Sequence, residues 1–468
     1  LDLLTHFLLP FGAILLGLLI IHEAGHYFTA KMFGVKVEEA GVGLPPKLWG
    51  FRWRDTDYTI NAIPIGAFVR MKGEEDPNEQ DGTIAGDSLA AQAKWKRVII
   101  IGSGAAINLV AAIVLMSLSL MVPHEVSEGG AQIGSVAPNS PAEQAGLAAG
   151  DEIYAINGRR VHNTSDAGYL IRLNRGETMT VTVKRDNPRA GGSEFVDTRV
   201  YARWDPPAYQ DDCGVEQPQG PTGITIGAVA LEQVNLTADE KAQLERDNTK
   251  ALKDYREQLP ANAPAWCGSG AAFGFHSIPD DECAELSDER QAKAQQIKQE
   301  LFADEKYEYA CYEFDPGAQY MARTKTESLG PIAAFSRGTR LSFESIIFMR
   351  NLLWAKVRGF DSDGPVTGPV GIAQATGEVV EEAGYIQLIA LAGSLSMSLA
   401  VLNFLPIPAV DGGRLFFIFI EFIRGGRRIA PQKEALVHLA GFAALIMLAA
   451  VVTYFDILRL VNGDSLLR

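Results

Sequence analysis

Residues 18–30 read LLIIHEAGHYFTA, and within them His22, Glu23 and His26 interrupt an apolar run that extends from about Phe7 to Ala30. The run is long enough to cross a hydrocarbon core. Ionisable side chains cost several kcal/mol at that depth unless paired or coordinated, so these three read as functional groups. On a helix, positions 22 and 26 lie one turn apart on one face. Two imidazoles so placed can share one Zn2+, with Glu23 beside them as a base for water. The competing reading is a chance motif whose histidines are satisfied locally; with 7 His in 468 residues such a match is rare.

Working outward, three further long apolar runs cover Val98 to Val122, about Tyr385 to Leu405 and about Ala435 to Tyr454. A shorter run, Leu415 to Ile423, contains Glu421 and ends in RGGRR, the pattern of an interfacial helix. The first run is too long and too motif-rich for a cleaved signal peptide. Lys31, Lys36 and Lys47 follow the first span, Lys94, Lys96 and Arg97 precede the second, and Arg414, Arg424, Arg427, Arg428 and Lys433 separate the last two. The positive-inside rule makes those loops cytoplasmic. Residues 123–384 and both termini are then extracytoplasmic. Cys213, Cys267, Cys283 and Cys311 all fall in that region, where an oxidising compartment suits disulfides, although free buried thiols remain the alternative and the pairing is open. The formal charge of −15 argues against a nucleic-acid partner.

A catalytic zinc usually takes three protein ligands and keeps a fourth position for water or substrate. No third histidine follows the pair closely. The best remaining candidate is Asp411 in NFLPIPAVDGGRLF, residues 403–416, where Gly412 and Gly413 permit a close backbone approach. Alone, this segment reads more readily as an ordinary Asp-Gly-Gly turn at the membrane surface.

The two motifs together, with GVGLPPKLW and YTINAIPIGAFVRMKGE after the first span, GSGAAINLV in the second and TGPVGIAQ before the third, resemble the site-2 protease family of intramembrane zinc metalloproteases. The arrangement is closest to the bacterial group of the regulator of sigma-E protease. The matching segments span residues 1 to about 125 and 362 to 455. Val410 stands where the family has Leu, and Ala105 where its second-span signature has Pro. The resemblance implies zinc ligands at His22, His26 and Asp411, general base and acid chemistry at Glu23, and a substrate or oxyanion contact at Asn403, for which a helix cap or an interhelix contact is the alternative. It also implies a membrane-associated β-hairpin. In residues 55–72, Thr59, Asn61 and Ile63 alternate as a strand, so Asn61 is a candidate contact for an extended substrate added at the sheet edge, the alternative being a hairpin that only plugs the protein.

The expected fold class is an α-helical polytopic membrane protein of about four spans, with the β-hairpin loop and an external β-rich PDZ domain plus a Cys-containing helical insertion. GAQIGSVAPNSPAEQAGLAAGDEIYAINGRRV, residues 130–161, resembles a bacterial PDZ domain, closed by TGITIGA at 222–228. Its role reads either as peptide binding or as a plug over the site. The expected domains are 1–125 (two spans, zinc motif and hairpin), 126–230 (PDZ), 231–328 (insertion with two charged helices), 329–384 (amphipathic connector) and 385–468 (last two spans). The function implied is zinc-dependent cleavage within the membrane of a pre-trimmed single-pass protein, anti-sigma-factor-like, or of a remnant signal peptide. Membrane lipid and a peptide ligand of the PDZ domain are the further partners. The alternative is a zinc-braced PDZ scaffold without catalysis, which would have no use for Glu23.

Overall fold

The computed structural model describes residues 3–74, 86–127, 129–187, 192–210, 216–217, 219–228, 231–234, 265–267, 276–278, 319–322, 324–360 and 368–462. The chain divides into two compact units: Leu1–His124 with Glu327–Leu353 and Asp363–Arg468, and Glu125–Thr326 with Trp354–Ser362.

The first unit holds four helices long and apolar enough to cross a membrane, Thr5–Met32, Lys94–Met121, Tyr385–Phe404 and Gln432–Leu458. The chain is an integral membrane protein. Its first helix opens as a π-helical segment, Leu3–Leu8, and becomes α1 at Leu9–Met32. Pro10 lacks the N–H that would continue the α ladder back across this junction. Gly34, at φ +78°, ends α1 and turns the chain into β1 (Val37–Trp53). β2 (Thr56–Met71) returns after Arg54.

These two long strands fold back on themselves. Residues 47–53 pair with 56–61, while 39–42 lie between 57–60 on one side and 67–70 on the other. The alternating run 57–61 is thus an inner strand, and 67–70 is paired on one side only among the described residues.

α2 (Lys94–Met121) is the central helix, and small residues let its neighbours approach it closely. A Cβ at Gly25 of α1 would lie 2.5 Å from the Ser103 carbonyl, and one at Gly338 of α5 (Pro331–Val357) would meet Ser117. α2 runs unbroken through Ala105, which is fully buried. α6 (Pro369–Ala383) packs on α1 and on the last helix, α9 (Pro431–Asn462). Its first turn is held by Asp456 of α9, whose buried carboxylate accepts the N–H groups of Gly368 and Gly371 at 2.9 and 2.8 Å. The expected connector 329–384 is therefore two helices, of which α6 packs against the span bundle. α7 (Leu388–Phe404) crosses α2, and the short α8 (Asp411–Ile423) follows.

The second unit is built on a six-stranded sheet. β3 (His124–Ser127) leads in, followed by β4 (Ala131–Val136), α3 (Pro141–Gln144), β5 (Glu152–Ile156), β6 (Arg159–Arg160), α4 (Thr164–Leu173), β7 (Thr178–Asn187) and β8 (Gly192–Tyr201). A small ribbon, β9 (Tyr209–Gln210) with β10 (Glu216–Gln217), precedes β11 (Ile224–Ala228). The sheet order is β11-β4-β5-β7-β8, with β6 on β5. Alternating Ile153, Val181, Val183 and Val200 meet Leu170 and Ile171 of α4 in the core. Asn157 and Gly158 both take positive φ at the β5–β6 turn, as an Asn-Gly hairpin requires. The helices expected within 231–328, and Cys213, Cys283 and Cys311, lie outside the described residues; Cys267 ends the three-residue strand Ala265–Cys267.

Candidate metal centre

The site lies in the first unit, where α1, α2 and the α7–α8 corner meet. Nε2 of His22 and Nε2 of His26 are 3.2 Å apart, and Oδ2 of Asp411 lies 3.1 and 3.2 Å from them. His26 uses Nδ1 against the Ile100 carbonyl at 2.9 Å. A carbonyl only accepts, so that Nδ1 carries the proton and Nε2 presents a lone pair. Gly104, one turn along α2, makes room for the pair: a Cβ there would come within 2.7 Å of His22 Nε2 and nearer still to His26.

Asp411 reaches the pair because of its backbone. α7 stops at Phe404, the segment 405–410 doubles back, and Asp411 opens α8. A Cβ on Gly412 or Gly413 would run into the carbonyls of Leu405 and Ile407, so only glycine fits this reversal. Ala409 holds φ +83°, and its N–H donates to His438 Nδ1 of α9 at 2.9 Å, while Gly441 of α9 packs against Pro408. One turn beyond Asp411, Arg414 pairs with Glu74. Farther along, Glu421 is 5% exposed and receives Arg97 of α2 at 2.8 Å. These two ion pairs orient α8. What looked like a surface turn is the first turn of a helix clamped on both sides.

Oδ2 of Asp411 is buried without a hydrogen-bond partner. It faces two imidazole nitrogens; in a neutral His26 whose Nδ1 holds the proton, Nε2 is an acceptor, and acceptors converging without a shared proton repel unless a cation lies between them. Zinc bonds of roughly 2.0–2.1 Å in a tetrahedron place ligand atoms about 3.3 Å apart, close to the observed triangle. The donor set of two imidazoles and a carboxylate is one that zinc accepts. Among the described residues this is the one such cluster of three.

A cavity of about 490 Å3 opens on the triangle, and its walls include His22, Glu23, His26, Asn403, Asp411 and Arg414. Glu23 is half-buried there. Asn403 donates from Nδ2 to the Leu399 carbonyl at 2.9 Å within its own helix. Asn61 is not brought to this cavity. It is buried, its amide donates to the Gly43 carbonyl at 3.0 Å, and both edges of its strand are occupied. The hairpin residues that do line the cavity are 44–45 of β1 and 68–71 of β2.

Sequence reasoning did not single out Glu74, Arg97 or His438 as part of this assembly. The first two read as loop charges, and their partners come from segments over three hundred residues away. His438 carried a usable signal: it is an ionisable residue inside an apolar run, the feature that singled out His22.

Comparison with known proteins identifies the family. The model of Peptidase family M50 matches residues 10–448. A relative from Clostridium acetobutylicum is 27% identical over 457 residues, covering 97% of each chain, and one from Vibrio cholerae is 28% identical over 473 residues, covering 96% of this chain and 97% of its own. Both carry the name "Putative zinc metalloprotease". The Bacillus subtilis regulator of sigma-W protease RasP is 24% identical over 531 residues, covering 97% of this chain and 98% of its own. The chain therefore belongs to Peptidase family M50, the site-2 protease family, and is a zinc-dependent protease.

Proposed function

We propose that the chain cuts peptide bonds of membrane-embedded segments, with His22, His26 and Asp411 holding Zn2+ and Glu23 acting as general base and then general acid. The observation that carries this reading is the triangle of Nε2 and Oδ2 atoms, 3.1–3.2 Å on a side, facing a cavity that also contains Glu23. Bound zinc supplies Lewis acidity toward the scissile carbonyl and acidifies water. Glu23 takes the proton of the attacking water as its oxygen bonds to the carbonyl carbon. When the C–N bond breaks, Glu23 delivers that proton to the leaving nitrogen. Asn403, on the cavity wall, orients the substrate.

A helical substrate must be extended before its carbonyls are open to attack. Residues 67–70 supply the strand edge for it: they are unpaired on one side among the described residues, and the neighbouring 68–71 line the cavity. Asn61, in an inner strand, supports this sheet from within. The substrate class is a single-pass membrane protein already shortened outside the membrane, anti-sigma-factor-like, or a remnant signal peptide. The name of RasP, a regulator of sigma-W protease, supports a role in regulated proteolysis.

Residues 126–230 are assigned as a PDZ module. Support comes from the sheet in which β11 closes on β4, with α4 packed against β11. The distribution of Lys and Arg supports an extracytoplasmic position for residues 123–384 and the termini. Glu23→Gln tests the chemistry. Zinc-loaded enzyme carrying it is expected to keep its metal and to cut a short-stump single-pass substrate at least about a hundredfold more slowly. Wild-type rates in that variant would refute the role of Glu23, and no cutting of any membrane segment by wild type would refute the proposed function.

A further inference from the structure

We infer that Asn108 is the positioning residue for His22, its side-chain Oδ1 accepting the His22 Nδ1–H and so turning the Nε2 lone pair toward the metal. The inference rests on the reading that His22, His26 and Asp411 hold zinc.

The argument starts from helix spacing. His22 and His26 are four residues apart on α1, and the residues of α2 that meet them, Ile100, Gly104 and Asn108, are also spaced by four, so each forms one face of its helix. Because the two helices run in opposite directions, Ile100 meets His26 and Asn108 meets His22. Gly104, between them, leaves space for both rings.

A histidine that binds metal through one ring nitrogen normally donates its other N–H to a carbonyl or carboxylate, which fixes tautomer and orientation. The Ile100 carbonyl does this for His26. The side-chain amide of Asn108 is the group at His22 Nδ1, 3.4 Å away. With the amide's Nδ2 end facing the ring, His22 would hold its proton on Nε2, pointed at His26 and away from metal binding. A half-turn of the amide, which the shape of an Asn side chain permits, brings the carbonyl oxygen to the ring N–H. Both imidazoles then present lone pairs to Asp411.

The site of Asn108 is itself fixed. The residue is fully buried, and its backbone carbonyl accepts the Ser396 hydroxyl of α7 at 2.8 Å. A spanning helix has no general use for a fully buried amide, since leucine would pack there at lower cost. The ring of His22 supplies the use.

The test is zinc affinity of the full-length protein in detergent, measured by chelator competition, with nitrogen NMR of labelled histidine in the zinc-loaded wild type. Asn108→Leu, which removes the acceptor, is expected to bind zinc about ten- to a hundredfold more weakly, the usual effect of losing such a partner. Asn108→Asp, which keeps an acceptor at the same reach, is expected to stay near wild type. The NMR of wild type should find the His22 proton on Nδ1, a readout independent of whether any variant folds. A proton on Nε2 overturns the inference. So does unchanged zinc affinity in Asn108→Leu, or an equal loss in the Leu and Asp variants, which would mark packing alone. Full zinc binding by Asp411→Ala would instead break the underlying reading of the ligand set.

Discussion

The two units of this chain differ in where they concentrate buried polar residues. In the spanning unit, helices form from apolar runs and approach through Gly25, Gly338 and Gly393, so packing requires no charge. Four of the buried polar groups there, His22, His26, Asn108 and Glu421, gather around one site or clamp the helix that carries Asp411, while others, such as Asp456, cap backbone as they do in the sheet unit. In the sheet unit, buried polar groups serve the backbone. Ser140 caps α3 by accepting the Glu143 N–H, and the 2% exposed Asp151 binds Arg185 at 2.6 Å and the Ala148 N–H. That carboxylate holds the Arg185 guanidinium above its ordinary range. The difference follows from the solvent. Lipid offers a polar side chain no partners, so a spanning segment retains one only where a ligand or a specific contact compensates. Water leaves the sheet unit free to use polar groups as caps and turns.

Substitutions in the two units should therefore separate metal binding from stability. The largest effect is expected for Asp411→Ala: metal analysis should fall from one zinc per chain toward none, while amide exchange in residues 131–200 stays as in wild type. Retention of zinc at full affinity would remove Asp411 from the ligand set. Gly104→Ala comes next. Its methyl group would collide with both imidazoles, and chelator competition should reveal a weakening of roughly tenfold or more with the helices intact. Unaltered affinity would mean that α2 is not the template for the pair.

The sheet unit should respond the other way. Asp151→Ala leaves the partly exposed Arg185 and the Ala148 N–H without their carboxylate, and losing such charge-assisted hydrogen bonds costs about 1.5–3 kcal/mol. Faster exchange of the β5 and β7 amides, with zinc content unaltered, is the expected result; a fall in zinc would join what the comparison separates. The smallest effect is expected for Ser140→Ala, about 1 kcal/mol for a lost N-cap, confined to exchange near α3. A destabilisation as large as that of Asp151→Ala would show that the cap holds more than its own helix.

Much of this was legible in the chain because the signals are local. The apolar runs locate the spans to within a few residues, and four-residue spacing puts His22 and His26 on one face. Alternation and the Asn157-Gly158 turn outline the sheet unit. What was not legible depends on pairing between distant segments. The run containing Thr59, Asn61 and Ile63 is visibly a strand, but only the fold-back of β1 and β2 makes it an inner strand and leaves 67–70 as the edge. Residues 369–383 have a connector's place in the chain, yet Asp456 caps them against α9.

The sequence by itself determined that the chain spans a membrane and carries a metal motif in its first span, because hydropathy and helical periodicity are properties of consecutive residues. The sequence also offered Asp411 as the third ligand; only the tertiary structure decided how its carboxylate reaches the two histidines. Its approach depends on a loop whose carbonyls exclude any side chain at 412 and 413, on His438 holding Ala409, and on Arg414 and Glu421 finding partners far away in sequence. No local pattern encodes those contacts, since each requires two segments to have already folded against one another.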